Sequence, residues 1–184
     1  MKLTRNALRR AAIALALPPL LAACTATPTP SPTASPTPTP TPTATTLSPA
    51  DQDLVNAKQA VVKLWAVVDR LTNDPQATLQ DLDGVAMGDA LTMFQQNLVK
   101  YRAARWTGTG SSVVEGVEAL ASGMDASGRA TWTVTACVDG SATTLVDQNG
   151  KSVQGPPYRI RHQSKVVERA SALYVAQDEA VGTC

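Results

Sequence analysis

The stretch RATWTVTACVD, residues 129–139, decides how this chain folds. Its apolar side chains recur at every second position: Ala130, Trp132, Val134 and Ala136 take one face, and Thr131, Thr133, Thr135 and Cys137 the other. That alternation is the period of a half-buried strand. Upstream, SSVVEGVEALASGM (111–124) is separated from it by DASG (125–128), a hairpin signal. Downstream, ATTLVDQNGKSV (142–153) places Asn149-Gly150, the strongest short-range hairpin cue, between short strand-like pieces. After Pro156-Pro157, YRIRHQSKVVE (158–168) alternates again. Tyr158, Ile160, His162, Ser164 and Val166 share one face, and Arg159, Arg161, Gln163 and Lys165 share the other. A last strand is expected over about residues 172–177.

Before residue 106 the period is helical. Ser48-Pro49-Ala50-Asp51 supplies an N-cap, a proline at the first helical position and an acid at N3. The stripe Leu54, Ala57, Val61, Leu64, Trp65, Val68 and Leu71 then predicts a helix to about residue 71. NDPQAT (73–78) breaks it. A short helix is expected over 79–85 with Thr78 as its cap, and a third over 89–104 on the stripe Leu91, Phe94, Leu98 and Tyr101. GTGSS (108–112) reads as loop. Helices followed by an antiparallel meander predict an α+β domain over 48–184, with about three helices packed on one face of a sheet of four to six strands.

The first 47 residues read as an address and a spacer. MKLTRNALRR is basic without an acid, and AAIALALPPLLAA (11–23) is apolar but too short to span a bilayer comfortably. This is the layout of a signal peptide over residues 1–23. Its end, LAAC (21–24), resembles the lipobox of bacterial lipoprotein precursors. The resemblance implies cleavage between Ala23 and Cys24 and a diacylglyceryl group on Cys24, with two or more acyl chains giving stable membrane attachment. Arg9-Arg10 hints at twin-arginine export, although the residues after it match that pattern poorly. TATPTPSPTASPTPTPTPTATTL (25–47) has no charge, and alternating proline predicts an extended polyproline segment. At about 3.1 Å per residue, the 24–47 stalk could hold a domain about 70 Å from the membrane. Threonine- and proline-rich stalks also carry O-glycans.

Three cysteines leave an odd one unless lipidation takes Cys24. The remaining pair, Cys137 and Cys184, is then expected to form a disulfide outside the membrane, where such bonds persist. Two cysteines without a histidine cluster do not suggest a metal site, and a redox pair would be closer in sequence. Loss of Lys2, Arg5, Arg9 and Arg10 with the signal leaves twelve basic residues against fifteen acids, a net charge of −3. A mildly acidic domain is a poor nucleic-acid partner.

Three helices followed by a meander are similar to the nuclear transport factor 2-like, or polyketide-cyclase-like, superfold. More narrowly, TACVDGS (135–141), LVDQNGKSV (145–153) and the final GTC (182–184) resemble a group of actinobacterial lipoproteins of unknown function. The resemblance implies a curved, cone-like sheet enclosing a pocket, in which some members use a His or Asp as general base. Those lipoproteins often carry Gly-Trp before the last strand, where this chain has Ala170-Ser171-Ala172.

Few residues here announce chemistry. The single histidine, His162, lies on the apolar face, where the sequence offers no obvious catalytic partner for it. DLDGVAMGD (81–89) begins like a calcium loop but lacks its later ligands, so Asp81, Asp83 and Asp89 read as helix-start acids. NGKS (149–152) is a turn; the first glycine of a phosphate loop would fall at Leu145. Neither a catalytic set, nor a metal, nor a cofactor is expected. Trp65, Tyr101, Trp132, Tyr158 and His162 are candidates to line a pocket for an apolar ligand, or else form core. Arg159, Arg161 and Lys165 form a solvated row or meet an acidic envelope protein. The expected role is a membrane-tethered, extracytoplasmic binding domain. The alternative is a small-pocket enzyme of isomerase or cyclase type.

Overall fold

A computed structural model of the chain describes residues 47–155 and 158–184. The expected signal peptide, the Ala23/Cys24 site and the stalk up to residue 46 lie outside the described residues, as does Pro156-Pro157. The described residues form an α+β fold. Helix α1 (Pro49–Asn73) is followed by a 3-10 helix (Leu79–Gly84) and α2 (Gly88–Ala103). Six strands complete it: β1 (Thr107–Thr109), β2 (Val113–Met124), β3 (Ala130–Asp139), β4 (Thr144–Val146), β5 (Arg159–Arg169) and β6 (Ala172–Thr183).

The helix starts follow their local chemistry. Ser48 accepts a hydrogen bond from the Asp51 amide at 3.2 Å, with Pro49 inside the first turn. Thr78 caps the 3-10 helix through the Gln80 amide. Helix α2 starts after Met87 without a side-chain cap, although Asp89 sits in its first turn. Asp81, read as a helix-start acid, also bridges back to Arg70 at 2.8 Å.

The large sheet is antiparallel in the order β2-β3-β5-β6. Its central strands run unbroken, from Thr131 opposite Val167 to Asp139 opposite Arg159. Both outer strands are bulged twice: β2 between Glu115 and Glu118 and between Ala119 and Ala121, β6 opposite Arg161/His162 and opposite Lys165/Val166. Gly116 supplies a φ of +58° at the first of these. Bulges bend a strand and raise its twist, so bulging both edges against a regular centre curves the sheet around the helices. Its concave face meets α1 and α2. The core there is Ala57, Val61, Leu64, Leu71 and Leu98 from the helices, against Trp132, Val134, Ala136, Val166 and Val175. Each fully buried Leu or Val contributes about 1.5–3 kcal/mol.

Two features differ from the sequence reading. The loop expected at 108–112 begins inside β1, which pairs with β4 as a separate two-stranded sheet. Gly108 makes that possible, because a Cβ there would sit 2.7 Å from Asn73 Oδ1 and 2.8 Å from Thr72 Cγ2 at the end of α1. The last strand continues past residue 177 to Thr183, pairing with β5 throughout. The β5–β6 hairpin closes tightly, Arg169 opposite Ala172, with Ala170 and Ser171 both at positive φ (51° and 62°). That turn ordinarily takes Asn-Gly.

A disulfide joins Cys137 to Cys184 with Cα atoms 6.1 Å apart. Strand β5 lies between β3 and β6, so the bond ties the end of β6 across the start of β5.

Candidate functional site

A cavity of about 290 Å³ opens between the C-terminal half of α1, the small β1–β4 sheet and the start of β5. Trp65, Val68, Tyr101, Val138, Leu145 and Ile160 give it apolar walls. Tyr158, 42% exposed, stands among the lining residues as the most open aromatic. Four of the five aromatic and histidine candidates therefore converge: Trp65, Tyr101, Tyr158 and His162. Trp132 does not. It is buried in the core cluster with Val134 and Val166, because it sits near the opposite end of β3 from the cavity-lining Val138.

His162 is the chemical centre of this cavity, and it has the partner that alternation failed to reveal. Its Nδ1 lies 2.8 Å from Asp178 Oδ2, and the Ser164 hydroxyl donates to Asp178 Oδ1 at 2.6 Å. Ser164 and Asp178 are directly opposite across β5 and β6, and both are buried. The bulge in β6 explains why Asp178 points inward. Val175 pairs with Val166 on the concave face, and strict alternation would send Gln177 inward next. The extra residue at Ala176 reverses the phase and delivers Asp178 instead. That bulge is held from outside the sheet. Val175 donates its amide to Val85 O and accepts from the Met87 amide, at 3.0 and 2.9 Å.

The cluster is not a nucleophilic triad. Serine and histidine both address the carboxylate and not each other, and the Ser164 hydroxyl is fully engaged. Its effect is to satisfy a buried carboxylate and fix one ring. Trp65 braces that ring from α1, edge-on with centroids 4.8 Å apart, and is itself packed edge-on against Phe94 at 5.6 Å. Trp65 Nε1 is buried without an acceptor. At the rim, Asp69 accepts from the Ser112 amide and hydroxyl at 2.6 and 2.9 Å, which ties α1 to the start of β2.

The basic row is not a row of free cations. Arg159 reaches Glu115 and, at 3.3 Å, Asp139, and its guanidinium lies 3.8 Å from Cys137 Sγ. Asp139, directly opposite on β3, and Glu115, one strand further on β2, thus neutralise it, leaving Arg161 exposed and Lys165 half-buried as the other two cations of the expected row. The Asp139 carboxyl is held below its usual range, first by the Ser141 hydroxyl and amide and further by the charge of Arg159. Asp125 is depressed too, chiefly by the Arg129 side chain in the β2–β3 turn. Among the described residues, no three His, Cys, Asp or Glu side chains gather as a metal site requires.

No family model and no curated protein matches the chain. Among solved structures, the intermembrane space region of the chloroplast protein ARC6 is similar, with a TM-score of 0.53 at 15% identity over 71% of this chain and 98% of that one. A periplasmic fragment of TraM matches with a TM-score of 0.40 at 13% identity, over 75% of this chain and all of that fragment. At such identities, the ARC6 likeness is one of fold alone. Among the described residues no helix is long and apolar enough to cross a membrane.

Proposed function

We propose that this chain is an extracytoplasmic lipoprotein, anchored through Cys24, whose α+β domain binds a small, largely apolar ligand. One observation carries the binding reading: an aromatic-walled cavity whose inner wall holds a histidine fixed by a buried carboxylate. Apolar and aromatic walls joined by a few convergent polar groups are the usual composition of a small-molecule site, and here Asn73, Gln154 and His162 are among the polar ones. The LAAC lipobox, the Thr/Pro-rich spacer and a disulfide all suit the outer side of a membrane. A cavity between helices and a curved sheet also supports membership of the nuclear transport factor 2-like superfold.

The second reading is a pocket enzyme of isomerase or cyclase type. The His162–Asp178 pair favours it, since a carboxylate-oriented imidazole is a competent general base. Against it, the hydroxyl nearest the pair is buried and already donated.

The test is native mass spectrometry of the unreduced protein extracted from membranes of an actinobacterial host. The binding reading expects an acylated N-terminal Cys24 and a dissociable small molecule that is returned unchanged. An unlipidated chain overturns the anchoring. A ligand converted on incubation, with conversion lost in His162→Gln, overturns simple binding in favour of the enzyme.

A further inference from the structure

We propose that the cavity selects neutral ligands bearing a hydroxyl, because Asp178 fixes His162 as a hydrogen-bond acceptor toward the cavity. This rests on the ligand-binding reading above and adds the ligand's chemical class.

The Asp178 carboxylate accepts two hydrogen bonds, from Ser164 Oγ at Oδ1 and from His162 at Oδ2. A carboxylate oxygen can only accept, so the proton of the neutral imidazole resides on Nδ1. Nε2 is then the ring nitrogen left for a ligand, and it carries a lone pair. The lining residues hold no Lys or Arg, and their one carboxylate is Asp69. No cationic side chain there compensates an anion, although neutral donors such as Asn73 and Gln154 line the mouth, and a carboxylate or phosphate at His162 would meet a lone pair. A hydrocarbon leaves Nε2 unsatisfied, and a carbonyl presents it with another acceptor.

A hydroxyl meets the demand that Nε2 makes: it donates to the ring lone pair and brings no charge into the cavity. The volume sets the scale of the test ligands. An apolar cavity of about 150 Å³ takes benzene, so one of about 290 Å³ takes roughly two fused rings.

The experiment is titration calorimetry of the intact, unreduced chain with naphthol, naphthalene, naphthaldehyde and naphthoate in mildly alkaline buffer. Naphthol is expected to bind about tenfold more tightly than naphthalene or naphthaldehyde, the value of about one net hydrogen bond, with naphthoate weakest. In Asp178→Asn, which no longer obliges Nδ1 to donate, the naphthol advantage shrinks to about twofold or less. Equal binding of naphthol and naphthalene to the wild-type chain overturns the selection rule while leaving a ligand cavity. Preference for naphthoate overturns it by showing that His162 presents a donor. Failure of all four to bind removes both the rule and the ligand reading beneath it. The wild-type ranking decides the matter even if the variant does not fold.

Discussion

Replacing both Cys137 and Cys184 with alanine should cost this fold about 4 kcal/mol. The bonded residues are 47 apart in the chain, and the chain-entropy relation assigns a loop of that size about 4 kcal/mol at 25 °C through restriction of the unfolded state. Native geometry gives little to offset this. Strand β6 is paired with β5 as far as Thr183 opposite Ile160, so its end stays positioned without the bond. The loss therefore lies in the unfolded chain. With an unfolding entropy of about 2.1 cal/mol/K per residue over about 137 residues, 4 kcal/mol corresponds to a Tm fall of about 14 °C. Alanine removes only the sulfur at each position; Cys184 is exposed, and the buried sulfur of Cys137, 9% exposed, adds a packing cost on top of the entropy loss. The assay is thermal and urea unfolding followed by circular dichroism, alongside thiol titration of the denatured, unreduced wild-type chain. The m-value of the variant should rise, because its unfolded state is more open. A Tm fall below about 3 °C in a chain whose wild type has this pair oxidised would refute the entropy reasoning. Free thiols at both positions would refute the bond itself.

Ser164→Ala should destabilise by about 1 kcal/mol, whereas Asp178→Ala should cost about 3 kcal/mol or more, since the latter strands two buried donors and the former only one acceptor site; equal costs in urea melts would contradict the shared-carboxylate arrangement. Ala170→Asn combined with Ser171→Gly should stabilise by about 1–2 kcal/mol, because both positions hold positive φ that asparagine and glycine adopt more readily; an unchanged or lowered midpoint would count against this turn geometry. Acid should weaken the fold through Asp125 and Asp139, whose carboxyls are depressed by Arg129 and by Ser141 respectively. Groups with lowered folded values stabilise fully above the ordinary carboxylate value of 3.8 and lose that contribution as pH falls through their folded values. The acid limb of stability should therefore flatten in the Asp125→Asn, Asp139→Asn double variant, and an unchanged limb would refute the assignment.

What could be read from the sequence followed the regular parts of the sheet. Strands β3 and β5 pair without interruption, so period-two reading placed His162, Ser164 and Val166 on the concave face and Arg161 and Lys165 on the convex one. The edge strands resisted the same reading because bulges reverse their phase. In β2 the signal was present, since a glycine inside a strand pattern, Gly116, marks such a bulge. In β6 the extra residue is Ala176, which carries no such mark, and the bulge depends on the distant 85–87 segment. The expected strand also stops at about residue 177, so the missed extension and this bulge together hid Asp178, the partner of His162. Strand β1 escaped for a related reason: three residues centred on Gly108 and followed by Gly110 acquire a strand's geometry only through β4, some 37 positions away. Ridge and stripe periodicity located the helices well, because α1 and α2 bury one continuous face.

The cavity account depends on one proton on one ring, and the chain contains one histidine. Nitrogen-15 long-range correlation spectra of the imidazole in the intact, unreduced protein therefore need no assignment. In mildly alkaline buffer, the account predicts that the ring proton sits on Nδ1, with the Nε2 resonance moving on addition of naphthol and staying still on addition of naphthoate. A ring protonated at Nε2, or an Nε2 resonance indifferent to naphthol at saturating concentration, would contradict it.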